Sequence, residues 1–331
     1  MALIVSISAF FLSLGLTGAS AWYARRRGLL AIPDERSSHD AAVPSGGGLG
    51  IILSWVPTTY LLLADSAPLP WQLGVLPACL VLALVGWLDD NRPLSARFRL
   101  FVQLAVSLYL LACCWQLELV DSVPLAALSV LWLLWIANLY NFMDGSHGMA
   151  GSQGVISGAV LAWLFYRYGA NSLMLVSLLV SASCLGFLPW NLGVARVFMG
   201  DVGSLVLGLT IGTLTLQGVL TGAFSLPVGL LIMAVFLVDA TITLLIRVIR
   251  GERWYNAHRQ HLYQRLIARG WSHGRVVVFY QAVNLVLVLP GIGVAVRYPE
   301  MDWPVALLLV SFLAFGWYRL SRKLGVLAQA G

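Results

Sequence analysis

The chain of 331 residues is 60% hydrophobic and 10% charged, with a mean hydropathy of +0.86. Soluble globular domains carry about 25% charged residues, so this composition excludes one and indicates an integral membrane protein. The net charge of +6 needs no nucleic-acid partner. Anionic inner-leaflet lipid and the sorting of basic residues to that side account for it.

A membrane helix needs about 20 mostly apolar residues, and about eleven runs of that kind follow one another along the chain. They lie at 2–24, 46–64, 71–88, 99–117, 123–140, 153–168, 171–190, 203–221, 226–248, 276–296 and 303–320. The polar breaks are too short for a soluble domain, so an all-α polytopic fold in a single domain, 1–331, is expected. An outside N-terminus puts all 20 Lys and Arg residues inside except Arg167 and Arg297, with the C-terminus inside as well. The positive-inside rule favours that arrangement. The first run is followed by Arg25-Arg26-Arg27 rather than preceded by basic residues, the order of a retained anchor rather than a signal peptide. Cys79, Cys113, Cys114 and Cys184 all fall within spans and read as small core hydrophobes.

The inner breaks, 25–46, 89–98, 141–152, 191–202 and 249–275, carry most of the chemistry. The first holds Asp34, Arg36, Ser38 and His39, then Pro44-Ser45-Gly46-Gly47-Gly48, whose backbone amides could wrap an anion. Asp89-Asp90 closes the third span. Adjacent carboxylates repel unless a cation or proton is shared, and acids at a helix C-terminus oppose its dipole; a metal-binding or general-base pair is favoured over a solvated helix end.

Asn141-Phe-Met-Asp144-Gly145-Ser146-His147-Gly148 puts Asn141 and Asp144 on one face if helical, with glycines that permit close approach to a ligand. A plain turn uses the same residue types. Asp201, in Phe198-Met-Gly-Asp201-Val-Gly-Ser204, serves equally as a helix cap or as a further ligand to a divalent cation. Asp239 lies inside the ninth run, where a carboxylate marks either function or a partner such as Arg247 or a neighbouring helix. His258, His261 and Arg265 in the last inner loop fit a phosphate clamp, with a basic membrane-lying helix as the alternative.

Carboxylates for Mg2+, with Arg and His to neutralise phosphates, suit phosphoryl transfer. Taken in order, Asp89-Asp90, Asn141-x-x-Asp144-Gly145, Phe198-Met-Gly-Asp201-x-Gly-Ser204 and the His-containing late loop resemble the polyprenyl-phosphate N-acetylhexosamine-1-phosphate transferases, from Ile32 to about His273. Arg36-Ser-Ser-His39 and His261-x-Tyr-Gln264 are most similar to the WbpL-type O-antigen-initiating glycosyltransferases.

The resemblance implies transfer of N-acetylhexosamine-1-phosphate, or a 6-deoxy form, from a UDP-sugar to undecaprenyl phosphate, with release of UMP, to initiate lipopolysaccharide O-antigen synthesis. The chain would then lie in a bacterial inner membrane, N-terminus periplasmic and active site cytoplasmic, and a homodimer is compatible with it. Asp89, Asp90, Asp144 and Asp201 are the implied catalytic set. Mg2+, with Mn2+ as a substitute, would sit on Asp201 with Asp90 and Asp89, one of which would orient or deprotonate the lipid phosphate. Asn141 would support the nucleotide diphosphate, and His261, Arg36, Ser38 and His39 would face phosphate or sugar, with His147, His258 and Arg265 also on the substrate side. Two departures stand out: His147 replaces an Asp common among relatives, and Tyr263-Gln264 replaces two histidines. A single in-line displacement is favoured over an aspartyl-phosphate intermediate. The competing class is an ion-coupled secondary transporter, but its site would lie near the midplane, commonly between inverted repeats.

Overall fold

Helices account for nearly all of the regular structure in a computed structural model that describes residues 2–31, 42–63, 74–116, 118–252 and 258–324. In order they are α1 (Ala2–Arg27), α2 (Gly48–Leu63), α3 (Leu76–Asn91), α4 (Ala96–Gln116), α5 (Val123–Phe142), α6 (Met149–Tyr168), α7 (Asn171–Asn191), α8 (Asp201–Leu220), α9 (Leu226–Ile232) and α10 (Ala234–Ile249). The short α11 (Leu262–Ala268) precedes α12 (His273–Val283), a π-turn over Asn284–Val288, α13 (Leu289–Arg297) and α14 (Asp302–Lys323). The only strands among the described residues, β1 (Leu30–Ala31) and β2 (Val43–Pro44), pair antiparallel with Leu30 opposite Pro44. The chain is an all-α polytopic membrane protein.

Each apolar run read from the sequence falls on a helix or a helix group, but not every helix is a full span. Among the described residues, 8 helices are long and apolar enough to cross a membrane. The run at 226–248 is broken instead: α9 and α10 meet at an 81° bend, so the spans number up to 9 if that pair counts as one. α2 and α3 are 16 residues each, about 24 Å at 1.5 Å per residue. Prolines start several helices, as at α3, α5 and α9, where the missing N–H costs nothing.

α8 is the axis of the bundle. Most of it is buried, and α2, α3, α5 and α6 pack around it, while α1 and α6 lie against α7. Small residues let backbones approach closely in such bundles. A Cβ on Gly86 of α3 would strike the backbone of Asp201 and Val202, so glycine there brings the end of α3 onto the start of α8. That close crossing sets Asp90 beside Asp201.

Candidate active site

The polar breaks converge where α3, α5 and α8 meet. Asp90 accepts the backbone N–H groups of Asp201 (3.0 Å) and Val202 (3.4 Å), so a side chain of α3 caps the N-terminus of α8. Cap carboxylates satisfy orphan donors and complement the helix dipole. Gly200 makes this possible. Its φ is +77°, and a Cβ there would run into Asp90 and Ser45. Arg99 of α4 reaches both Asp89 (2.7 Å) and Asp201 (3.1 Å) with one Nη1. The backbone N–H of Leu94 also donates to Asp89. Asn141 at the end of α5 donates to Asp201 Oδ1 (2.8 Å) and to Ser204 Oγ (2.9 Å). Asp201 is therefore held by three elements at once.

Asp144 differs. Its half-buried carboxylate takes no hydrogen bond among the described residues, and it lines an open cleft of about 240 Å³ with Asn141, Asp201, Gly145, His147 and Asn191. Burial, then the Asp201 and Asp90 carboxylates, push its pKa well above the ordinary carboxylate range. Such crowding attracts a cation or proton. His147 and His273 stack face to face at 3.9 Å on the cleft wall, with His273 Nδ1 3.1 Å from Ser146 Oγ and His147 Nδ1 2.9 Å from the Gly193 carbonyl. Asn191 accepts from Gly148 N–H (2.6 Å) and donates to the Val197 carbonyl (2.9 Å), locking the wall to α7.

Asn141, Asp144, His147 and Asp201 line this cleft, while Asp89 and Asp90 lie next to it, joined to Asp201 through Arg99 and the start of α8. His258, His261 and Arg265 gather behind the cleft. The two imidazoles are 4.8 Å apart, His261 is buried against Phe142, and Arg265 Nε donates to the Gln260 carbonyl (2.6 Å). Burial, then the neighbouring His261 and the cations of Arg247 and Arg265, lowers the His258 pKa to about 3. Arg36, Ser38 and His39 lie outside the described residues. The glycine run does not cradle an anion through Gly47 and Gly48, whose N–H groups donate to the Phe198 (2.8 Å) and Met199 (2.9 Å) carbonyls. Sequence reasoning missed Arg99, Asn191, Gln264 and His273 at the site. Arg99 had been counted only for topology, and its range of two carboxylates needs α4 packed against α3.

No three His, Cys, Asp or Glu side chains among the described residues are grouped to hold a metal ion. Mg2+ does not need such a cage, because one or two carboxylates, substrate phosphates and waters suffice. Asp144 and Asp201, both lining the cleft, fit that smaller demand. Asp89 and Asp90 do not line the cleft; Asp89 pairs with Arg99 and Asp90 caps α8.

The fold is a polytopic helical bundle with the carboxylates Asp144 and Asp201 on one cleft, an arrangement suited to phosphoryl transfer. Residues 72–220 match glycosyl transferase family 4, and this segment holds Asp89, Asp90, Asn141, Asp144 and Asp201. The chain is 29% identical over 273 residues to a probable undecaprenyl-phosphate N-acetylglucosaminyl 1-phosphate transferase of Bacillus subtilis, covering 78% of this chain and 75% of that one. It is 26% identical over 329 residues to the undecaprenyl-phosphate alpha-N-acetylglucosaminyl 1-phosphate transferase of Yersinia pestis, covering 93% and 88%. A phospho-N-acetylmuramoyl-pentapeptide-transferase of Staphylococcus saprophyticus is 27% identical over 284 residues, covering 76% and 85%. The chain is thus similar to glycosyl transferase family 4 over residues 72–220, and to polyprenyl-phosphate sugar-1-phosphate transferases over most of its length.

Proposed function

We propose that the protein transfers an N-acetylhexosamine-1-phosphate, or a 6-deoxy form, from a UDP-sugar to undecaprenyl phosphate and releases UMP, at the cytoplasmic face of a bacterial inner membrane. O-antigen initiation is the role we infer from the WbpL-type motifs. The observation that carries the reading is that Asp144 and Asp201 line one cleft, with Asp90 capping the helix that Asp201 begins.

In the reaction, an oxygen of the lipid phosphate attacks the β-phosphorus of the UDP-sugar. The new P–O bond forms as the bond from that phosphorus to the bridging oxygen breaks, and the bridging oxygen leaves with UMP. The lipid phosphate is already anionic near neutral pH, so positioning and charge matter more than a strong base. Asp144 and Asp201 face the cleft and would hold Mg2+. When bound there, the ion would neutralise the crowded phosphate oxygens. Asp90 acts by fixing the start of α8, and Arg99 by sharing its charge between Asp89 and Asp201. Asn141 orients Asp201. We assign Asp89 and Asp90 a supporting part rather than that of a base, because Arg99 and the start of α8 already engage them.

The relatives named for transfer of N-acetylglucosaminyl 1-phosphate and of phospho-N-acetylmuramoyl-pentapeptide make a UDP-N-acetylhexosamine the donor class to try first. A transporter reading would rest on Asp239, the one deep carboxylate, which is already filled with protein donors. The test is transfer of labelled sugar phosphate to undecaprenyl phosphate by detergent-purified protein, with a panel of UDP-N-acetylhexosamines and with EDTA. Lipid-linked product that needs divalent cation supports the reading. No product with any donor, from folded protein, would refute it.

A further inference from the structure

Asp239 sits within α10, 2% exposed, and takes no part in the cleft. Burying an ionised carboxylate is costly unless donors surround it. Here they do. Oδ1 accepts from Leu262 N–H (2.8 Å), Trp317 Nε1 (3.0 Å) and Thr243 Oγ1 (3.3 Å), and Oδ2 accepts from Tyr280 Oη (2.7 Å) and Tyr263 N–H (3.4 Å). One side chain thereby joins α10, α11, α12 and α14. Arg247, one of the partners weighed for Asp239 from the sequence, pairs instead with Glu252 at 2.8 Å.

α11 is the element with most to gain. It has 7 residues, and isolated helices shorter than about 12 residues are marginal in water, so its position must come from tertiary anchors. Its first two N–H groups end on Asp239. From the same turn, Tyr263 Oη donates to the Phe142 carbonyl (3.0 Å), two residues before Asp144, and a Cβ on Gly145 would collide with that hydroxyl. Gln264, next in sequence, lines the cleft and accepts from His261 N–H (3.2 Å). An unbroken set of contacts therefore runs from Asp239 through α11 and Tyr263 to the turn that carries Asp144.

Resting on the function proposed above, we infer that Asp239 is a positioning residue for the nucleotide-sugar donor. It seats α11, and α11 sets both the Asp144 turn and the Gln264 wall of the cleft. The lipid acceptor is not held by this route.

The test compares Asp239→Asn, Tyr263→Phe and the double variant, with UDP affinity measured by calorimetry in detergent and donor and acceptor KM measured by UMP release. Each single variant is expected to weaken UDP binding and raise the donor KM by about tenfold, the equivalent of about 1.4 kcal/mol. The acceptor KM should stay unchanged. Because both act through one chain of contacts, the double variant should be no worse than the stronger single one. Effects that simply add, or an acceptor KM that moves with the donor KM, would overturn the assignment. If Asp239→Asn does not fold, Tyr263→Phe decides alone, since it leaves every bond to Asp239 in place; unchanged UDP affinity there counts against the route. Wild-type protein that neither binds UDP nor releases UMP would overturn the proposed function, and this inference with it.

Discussion

Asp239 and Asp144 belong to one helical bundle and are treated in opposite ways. Five donors from four elements converge on Asp239, and no like charge is paired with it. Asp144 has no donor among the described residues, and its neighbours Asp201 and Asp90 raise its pKa. A carboxylate that the fold satisfies is part of the framework. One left short of donors beside two others stores unfavourable energy that only a cation, a proton or a ligand relieves. The contrast separates the chemistry from its support.

Variants should widen or collapse that contrast. The largest effect is expected at Asp201, where Arg99, Asn141 and the start of α8 meet. Asp201→Asn should lower kcat/KM by about a thousandfold, with thermal stability little changed; UMP release within tenfold of wild type would remove Asp201 from the chemistry. Asp144→Asn should lower turnover by about a hundredfold and raise the melting temperature, a trade typical of strained active sites.

The pH dependence of that gain follows from sign. The pKa of Asp144 is higher in the fold than in the unfolded chain, so its contribution to stability is full below the ordinary carboxylate range and is lost as pH rises through the raised value. The stability gain of Asp144→Asn should therefore grow with pH over that window. Thermal melts showing a flat or falling gain would contradict the crowding. Turnover of the wild type should rise with pH across the same window, because the charged form is the useful one.

Arg99→Leu comes next. It leaves Asp89 and Asp201 without their shared cation and should cost about tenfold in kcat/KM, while stability changes by about 1 kcal/mol, since the guanidinium is partly exposed. A purely supporting role appears with Asp239→Leu, which strands buried donors and should destabilise by about 3 kcal/mol in denaturant titrations. The smallest effect is expected at Arg269, whose exposed Nη2 donates to the Leu324 carbonyl. Arg269→Ala should stay within about 0.5 kcal/mol of wild type and keep full turnover.

Much of this was legible before any coordinates. Apolar runs show helices because length and hydropathy are local properties, and every run found its helix. The bend between α9 and α10 was hidden, because residues 228–238 are apolar throughout and the break falls among them at Met233, with no proline or polar residue to mark it. The acids of the cleft were visible as polar breaks in greasy sequence. Their partners were not. Arg99 lies 102 positions from Asp201, and His273 lies 126 from His147; which of many basic residues reaches a given acid depends on helix packing, which carries no local signal. The same limit explains why Asp239 could be flagged but not interpreted until α11, α12 and α14 were seen to close on it.

The most direct test of the central claim is UMP release from one UDP-N-acetylhexosamine and undecaprenyl phosphate, titrated with Mg2+, for wild type, Asp144→Asn and Asp239→Asn together. The account predicts that Asp144→Asn lowers metal-dependent turnover by about a hundredfold and shifts its metal titration, whereas Asp239→Asn keeps the wild-type metal response and shifts only the donor KM. An Asp144→Asn enzyme with a normal metal titration, or an Asp239→Asn enzyme that loses its metal response, would contradict it.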